Sequence, residues 1–307
     1  MDLCIKRMNI IDTKSDLAFK KVFGEKPHLL MSLLNNFLPL PHPIVEIQYM
    51  SPEILPETDE NKNSIVDVRC TDNHGRHFIV EMQVARQTGF NKRVLMNTSK
   101  IYSRQLTKNK QYDLAQPVYS LNLLDHTINQ NENDWYHYFA FTNRANHDEY
   151  WVDMQIIFIE LPKWKKMNIF DLNKPQDRWL MYFTEPSLFD RLSKEEYERY
   201  SEICEALESV EAKNFSPEKI YGYELYVDSI RQYHTTMSLE RKAGWKEGIE
   251  EGIAKGIAKG EEQGKQVGLE TSLQIIQEIK KNILSPEEIA IQFNTNVEMV
   301  LSLKLLV

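Results

Sequence analysis

Two acids and an amide carry the chemistry that can be read from this chain. They are Asp67, in Ile65-Val66-Asp67-Val68, and Glu81 with Gln83, in Ile79-Val80-Glu81-Met82-Gln83-Val84. An acid set between apolar strand residues is costly to bury unless a donor or a cation lies beside it. Asp72-Asn73-His74-Gly75 reads as a turn, so residues 64–70 and 76–84 read as the two strands of a β-hairpin. A turn at Asn73–His74 sets position 67 opposite 80 or 81, and the two carboxylates then converge. Strand alternation puts Glu81 and Gln83 on one face. Two carboxylates with no histidine in the pattern point to Mg2+, or Mn2+, rather than zinc. A metal, a polar group to position water and a phosphate clamp together suit phosphodiester hydrolysis. The alternative is a pair of edge-strand acids facing water.

A source of phosphate contacts follows directly. From Met82 to Tyr112 there is no Asp or Glu, while Arg86, Lys92, Arg93, Lys100, Arg104, Lys108 and Lys110 all fall in that stretch. The chain as a whole has a net charge of −8, so it does not attract nucleic acid by bulk charge. Any such attraction must come from this local segment. Lys92, Arg93, Lys100 and Arg104 are the candidate DNA contacts, of a kind that positions the backbone without reading sequence. The alternative is a solvated helix face.

The elements that must hold these residues alternate between helix and strand. Asp16–Phe23 reads as a helix capped by Ser15 or Thr13, and Pro27 opens a second helix that Pro39, Pro41 and Pro43 end. Residues 44–50 read as a strand and 52–63 as a polar loop. The hairpin follows, and then a helix over 91–109 with Leu95, Ile101, Tyr102 and Leu106 on its apolar side. Segments 117–124, 136–142 and 150–161 read as further strands. This order predicts an α/β fold whose helix crosses over between strands of one sheet. Beyond Lys163 the pattern turns helical: 177–183, 193–207 with a Ser193/Glu196 capping box, and 216 onward with Pro217 at the first position.

Composition bounds the class. The length of 307 residues predicts about two domains, and 42% apolar with 27% charged residues is ordinary globular usage. No apolar run approaches the ~18 residues of a membrane helix, and no apolar stretch follows Lys6 and Arg7 to make a secretory signal. Cys4, Cys70 and Cys204 are far apart and odd in number, which argues against a disulfide scaffold or an all-cysteine zinc site. A cytoplasmic protein is the expectation.

The C-terminal third has its own signature. Glycine stands at 244, 248, 252, 256, 260, 264 and 268, with Ile249, Ile253 and Ile257 following three of them. Each glycine costs a helix about 1 kcal/mol relative to alanine, so close approach of a second helix, as in a homo-oligomer, is the expected compensation. A flexible connector is the alternative. Ser285-Pro286-Glu287-Glu288 opens a helix-turn-helix-like tail whose basic content is Lys304. The expected organisation is a domain over 1–190, a helical arm over 191–283 and the tail over 284–307.

Several motifs in order make a resemblance specific: Asp16-Leu17-Ala18-Phe19-Lys20-Lys21-Val22-Phe23-Gly24, Leu33-Leu34-Asn35, Val66-Asp67-Val68, Val80-Glu81-Met82-Gln83, Tyr102-Ser103-Arg104-Gln105-Leu106, Tyr112 and Pro117-Val118. The first 180 to 190 residues resemble the PD-(D/E)XK nuclease family transposases, which include the recombination-promoting nucleases. The glycine helix and the tail resemble that family's C-terminal part. The resemblance implies a restriction-endonuclease-like mixed sheet flanked by helices, metal-dependent DNA cleavage, and a link to recombination or mobile elements. It makes Asp67 and Glu81 the motif acids and Asp16 the first-helix acid. Gln83 stands where most of the superfamily has lysine; it can hydrogen-bond water and phosphate but supplies no charge. Lys21, Lys100 and Arg104 are the candidates to supply one. A catalytically silent fold that binds DNA or a partner, or a scaffold acting through the glycine helix, are the rival readings. No integrase-type acid triad is evident.

Overall fold

The computed structural model describes residues 9–54, 64–106 and 111–306; Cys4, Lys6, Arg7, Lys108 and Lys110 lie outside them. The chain divides into two compact units, Met1–Asp228 and Ser229–Val307.

The first unit opens with α1 (Asp16–Phe23), α2 (Pro27–Phe37), β1 (Ile47–Tyr49), β2 (Glu53–Ile54), β3 (Ser64–Ile65), β4 (Val68–Asp72) and β5 (His77–Gln83). It continues with α3 (Phe90–Ser103), β6 (Val118–Leu124), β7 (Tyr136–Thr142), β8 (Glu149–Glu160), α4 (Leu161–Met167), α5 (Pro175–Thr184), α6 (Lys194–Arg199) and α7 (Ser201–Ser209). Six strands form one mixed sheet in the order β1-β4-β5-β6-β8-β7, and β2 and β3 form a separate pair. β5, β6 and β8 run parallel, with α3 as the crossover between β5 and β6.

Local chemistry explains the central hairpin. The Asp72 carboxylate accepts from the His74 and Arg76 backbone N–H groups at 3.0 and 2.9 Å, and from Arg76 Nε at 2.7 Å. Gly75 takes φ +77°, which L side chains rarely adopt. The turn sets the register Val68↔Val80, Arg69↔Ile79, Cys70↔Phe78.

Alternation along β5 then separates two faces. Phe78 and Val80 enter the main core with α1, α2, α5 and α7, where Phe23 lies 5.4 Å from Trp179 and 4.8 Å from Phe19 between ring centroids. Ile79 faces the other way and packs with Ile54, Val66, Ile101 and Val118. α3 covers that second face. Its two ends are pinned by apolar clusters, Ile101 in the one just named and Phe90 with Val94 against Leu124 and Phe158 in the other.

Several expectations are corrected. The strand read over 64–70 is two strands of different sheets, because the chain leaves the hairpin at Val66, whose N–H bonds to Pro52 O at 3.1 Å. Part of the expected polar loop over 52–63 is β2. The buried stripe of α3 is Phe90, Val94, Asn97, Thr98 and Ile101, and Leu95 is exposed. The helix read over 193–207 is broken at Tyr200 into α6 and α7, although the capping box is present. Ile203, Cys204, Ala206, Leu207 and Val210 join the main core, so the first unit extends past the expected boundary at 190.

α8 (Pro217–Lys281) is one long helix in which the unit boundary falls, followed by α9 (Pro286–Gln292) and α10 (Val297–Lys304). In the second unit Ile275, Ile289, Ala290 and Val300 form a small core. A Cβ added at any of the seven repeat glycines would meet nothing within 4 Å. Cys70 and Cys204 are buried and free, and none of the described helices is long and apolar enough to cross a membrane.

The two views of α3 and the core are separable by chemical denaturation. Phe23→Ala should lower stability by about 3–5 kcal/mol, as for large aromatic truncations in a core. Leu95→Ala, at an exposed position, should stay within about 0.5 kcal/mol of the parent.

Candidate active site

The register of the β4–β5 pair, carried one step beyond Val68↔Val80, sets Asp67 opposite Glu81. Asp67 stands at the bend where the ladder stops, and its side chain replaces the missing strand: Oδ2 accepts from the Met82 N–H at 2.8 Å. Burial raises the Asp67 carboxyl above its ordinary range; the Met82 N–H opposes that rise and the charge of Asp16 adds to it.

Glu81 is buried on β5, on the face that α3 covers. It accepts from Arg93 Nη2 at 3.3 Å and from Asn97 Nδ2 at 3.4 Å. Both exceed the usual 2.7–3.2 Å range for N–H···O bonds. Two other buried acids of the same unit are much better served. Asp72 has Arg76 at 2.7 Å, and Glu160 has His137, Lys163 and the Ile128 N–H at 2.7, 2.8 and 2.9 Å. Burial raises the Glu81 carboxyl, Arg93 pulls it down and Asp67 pushes it up again. Glu81 is thus a dehydrated carboxylate with incomplete compensation, which the buried pairs elsewhere are not.

Its surroundings are rich in oxygen and poor in donors. Asn122 opposes Glu81 on β6, and the Oδ1 atoms of Asn97 and Asn122 are buried with no hydrogen-bond donor among the described residues. Two carboxylates and unpartnered amide oxygens fit a hard divalent cation, which takes oxygen ligands. Among the described residues no group of three or more His, Cys, Asp or Glu is placed to hold a metal, so the protein side would rest on Asp67 and Glu81 with amide oxygens or water.

The remaining expected residues fall into distinct places. Gln83 is buried beside Glu81; its Nε2 donates to Ala85 O at 2.7 Å and its Oε1 accepts from Arg93 at 2.9 Å. Asp16 is exposed and pairs with Lys20 at 2.7 Å, within electrostatic range of Asp67 but outside the hydrogen-bonded group. Lys92 is exposed on α3. Lys100 reaches Ser64 Oγ at 3.5 Å, and Arg104 lies near Arg69, whose pKa burial and that neighbour both lower. Lys21 pairs with Glu25 at 2.5 Å. Of the four cations assigned to phosphate contacts, Arg93 is therefore the one that touches the acid and the amide, and it does so where Lys21, Lys100 or Arg104 were expected to serve.

Two residues escaped the sequence reading. Asn97 occupies the apolar stripe Phe90, Val94, Asn97, Ile101, and a lone amide at such spacing is the signal that could have found it. Arg69, two residues from Asp67 on β4, had no sequence signal beyond its charge.

The mixed six-stranded sheet with helices on both faces is consistent with the PD-(D/E)XK architecture. Residues 13–237, more than half of the chain, match the family described as PD-(D/E)XK nuclease family transposase. The protein belongs to this family, as its motifs indicated. Neither the curated proteins nor the solved structures give a match.

The raised carboxyls have a consequence for stability. Each contributes fully below its unfolded pKa of about 4 and loses that contribution as pH rises through its raised folded value. Asp67→Asn keeps the size of the side chain and removes the buried charge. In the absence of divalent metal it should raise the melting temperature at pH 8 more than at pH 5, read by thermal denaturation at both values.

Proposed function

We propose that the protein is a divalent-metal-dependent DNA endonuclease of the recombination-promoting type, acting in the cytoplasm. The observation that carries this reading is the under-compensated Glu81 carboxylate with Asp67 opposite it at the bend that precedes β4. Asp67 and Glu81 would hold a magnesium or manganese ion. Such an ion, when bound, polarises a phosphoryl oxygen and lowers the pKa of its water. The rest is the work of the chain. The Met82 N–H fixes the Asp67 carboxylate before a substrate arrives, while Asn97 and Arg93 hold that of Glu81 only by long bonds and leave it able to take a cation. Asp16 tunes Asp67 from a distance rather than by contact. Lys92, Lys100 and Arg104, joined by Arg69, are proposed to grip the phosphate backbone on either side of the scissile bond.

A second reading has one observation in its favour. Gln83 replaces the customary lysine and both ends of its amide are engaged, which suits a silent nuclease fold that binds DNA or a partner. Plasmid nicking separates the two. For an enzyme, Asp67→Ala and Glu81→Ala should each lower cleavage at least about 100-fold while DNA binding persists, and Mn2+ should support activity as well as Mg2+ does. Cleavage by Asp67→Ala at the parent rate, or no cleavage by the parent with any divalent metal, would overturn the enzymatic reading.

The glycine helix is proposed to join two copies of the chain, which would bring two cutting sites to one duplex. Seven helical glycines with open space at every Cβ, beside the exposed Ile249, Ile253 and Ile257, support this assignment. The α9–α10 tail would act as a packing or pairing element. Replacing Gly252, Gly256 and Gly260 together by leucine raises intrinsic helicity by roughly 1 kcal/mol per site yet blocks close approach. Sedimentation should show the parent self-associating at roughly tens of micromolar and the triple variant shifted toward monomer.

A further inference from the structure

We infer that Arg93 supplies the positive charge that Gln83 does not, and that Gln83 is the residue that positions Arg93. The inference rests on the nuclease reading above.

Arg93 is fixed from several sides. Nη2 donates to Gln83 Oε1 at 2.9 Å and to Glu81 Oε2 at 3.3 Å. Nη1 donates to Gln87 Oε1 at 2.9 Å, and the guanidinium carbon lies 5.1 Å from the centroid of the Phe90 ring. A planar fork held at these points is preorganised, which a lysine ammonium on a free stem is not. The side chain remains 41% exposed, so a phosphodiester lying against Glu81 can reach it. Gln83, in contrast, is buried and its amide nitrogen is committed to Ala85 O. Its part is to aim the guanidinium.

The reaction asks for a charge at this place. A water oxygen forms a bond to phosphorus as the bond from phosphorus to the leaving sugar oxygen breaks. One water proton is lost, the leaving oxygen takes one up, and the products are a phosphomonoester and an alcohol. Negative charge on the phosphoryl oxygens is stabilised by a fixed cation beside them. The strand lysine of the superfamily would stand at position 83; here the charge comes from α3, ten residues later in the chain and in hydrogen-bond contact with the same position. Restoring lysine at 83 therefore restores nothing, because it sets a second cation against Arg93.

The test compares plasmid nicking and DNA binding by the full chain and its Arg93→Met, Arg93→Lys, Gln83→Lys and Gln83→Lys/Arg93→Met variants, with Mg2+. Arg93→Met should lower kcat about 100- to 1,000-fold with KM for DNA changed by less than about threefold. Arg93→Lys should fall between it and the parent. Gln83→Lys should also be slow, through repulsion between neighbouring cations. The double variant carries one cation again and should recover to within about tenfold of the parent, a rescue that a merely structural role for either residue does not produce. If Arg93→Met fails to fold, by circular dichroism, an active double variant still supports the assignment. A kcat for Arg93→Met within about threefold of the parent overturns it, as does a double variant no faster than the slower single variant. Those results leave the nuclease reading standing. A parent inert with every divalent metal removes that reading and this inference together.

Discussion

The burial of one carboxylate beneath a helix is the constraint on which this site depends. Glu81 projects from the centre of the sheet on the face covered by α3, and apolar contacts hold that helix down on either side of it. Phe90 and Val94 pack on Leu124 and Phe158 at one end, and Ile101 packs on Ile79 and Val118 at the other. A charge in that gap forces the helix to turn polar side chains downward, so Arg93 and Asn97 face the sheet where an ordinary amphipathic helix would be apolar. The hydrogen bonds they offer are long, and the acid keeps a raised pKa. A fold optimised for stability alone would place a leucine there.

The same logic explains why the sheet is interrupted at Asp67. A continued β3–β4 strand would use its backbone to satisfy Met82. The chain instead peels away at Val66 toward Pro52, and the Asp67 side chain takes the Met82 N–H. The break and the acid belong together: the Asp67 carboxylate repairs the ladder that the peeling cuts. The hairpin tolerates this because its other end is firmly tied by Asp72 and Arg76, with Arg76 Nη1 also donating to His42 O at 3.0 Å.

Much of the architecture was legible in the order of residues because its causes are local. The α1 and α9 caps at Ser15 and Ser285, the Pro27 and Pro217 helix starts, the Asp72–Gly75 turn and the uniformly buried β6 each follow from a few neighbouring side chains. The convergence of Asp67 with Glu81 was legible to within one residue, since a turn at Asn73–His74 set position 67 opposite 80 or 81, and the observed register selects 81. The family match over residues 13–237 contains all of these segments except the C-terminal cap. The break at Tyr200 between α6 and α7 was not legible, because that aromatic enters the main core and lies under Arg178, whose guanidinium carbon is 5.5 Å from its ring centroid.

The cation beside the acids was decided elsewhere. Charge counting along residues 82–112 marks a basic segment but treats Lys92, Arg93, Lys100 and Arg104 alike. Which of them meets Glu81 depends on the rotation of α3 about its own axis over the sheet. That rotation is set by contacts between residues far apart in sequence, Phe90 with Phe158 and Ile101 with Val118. A shift of one residue along a helix turns the side chain by about 100°. Lys92 and Arg93 are adjacent in sequence, yet the first faces water and the second touches Glu81 and Gln83. The sequence by itself determined that two acids and an amide would share one face of a hairpin. Only the packing of α3 decided which charge, Arg93, and which unforeseen amide, Asn97, would complete their surroundings.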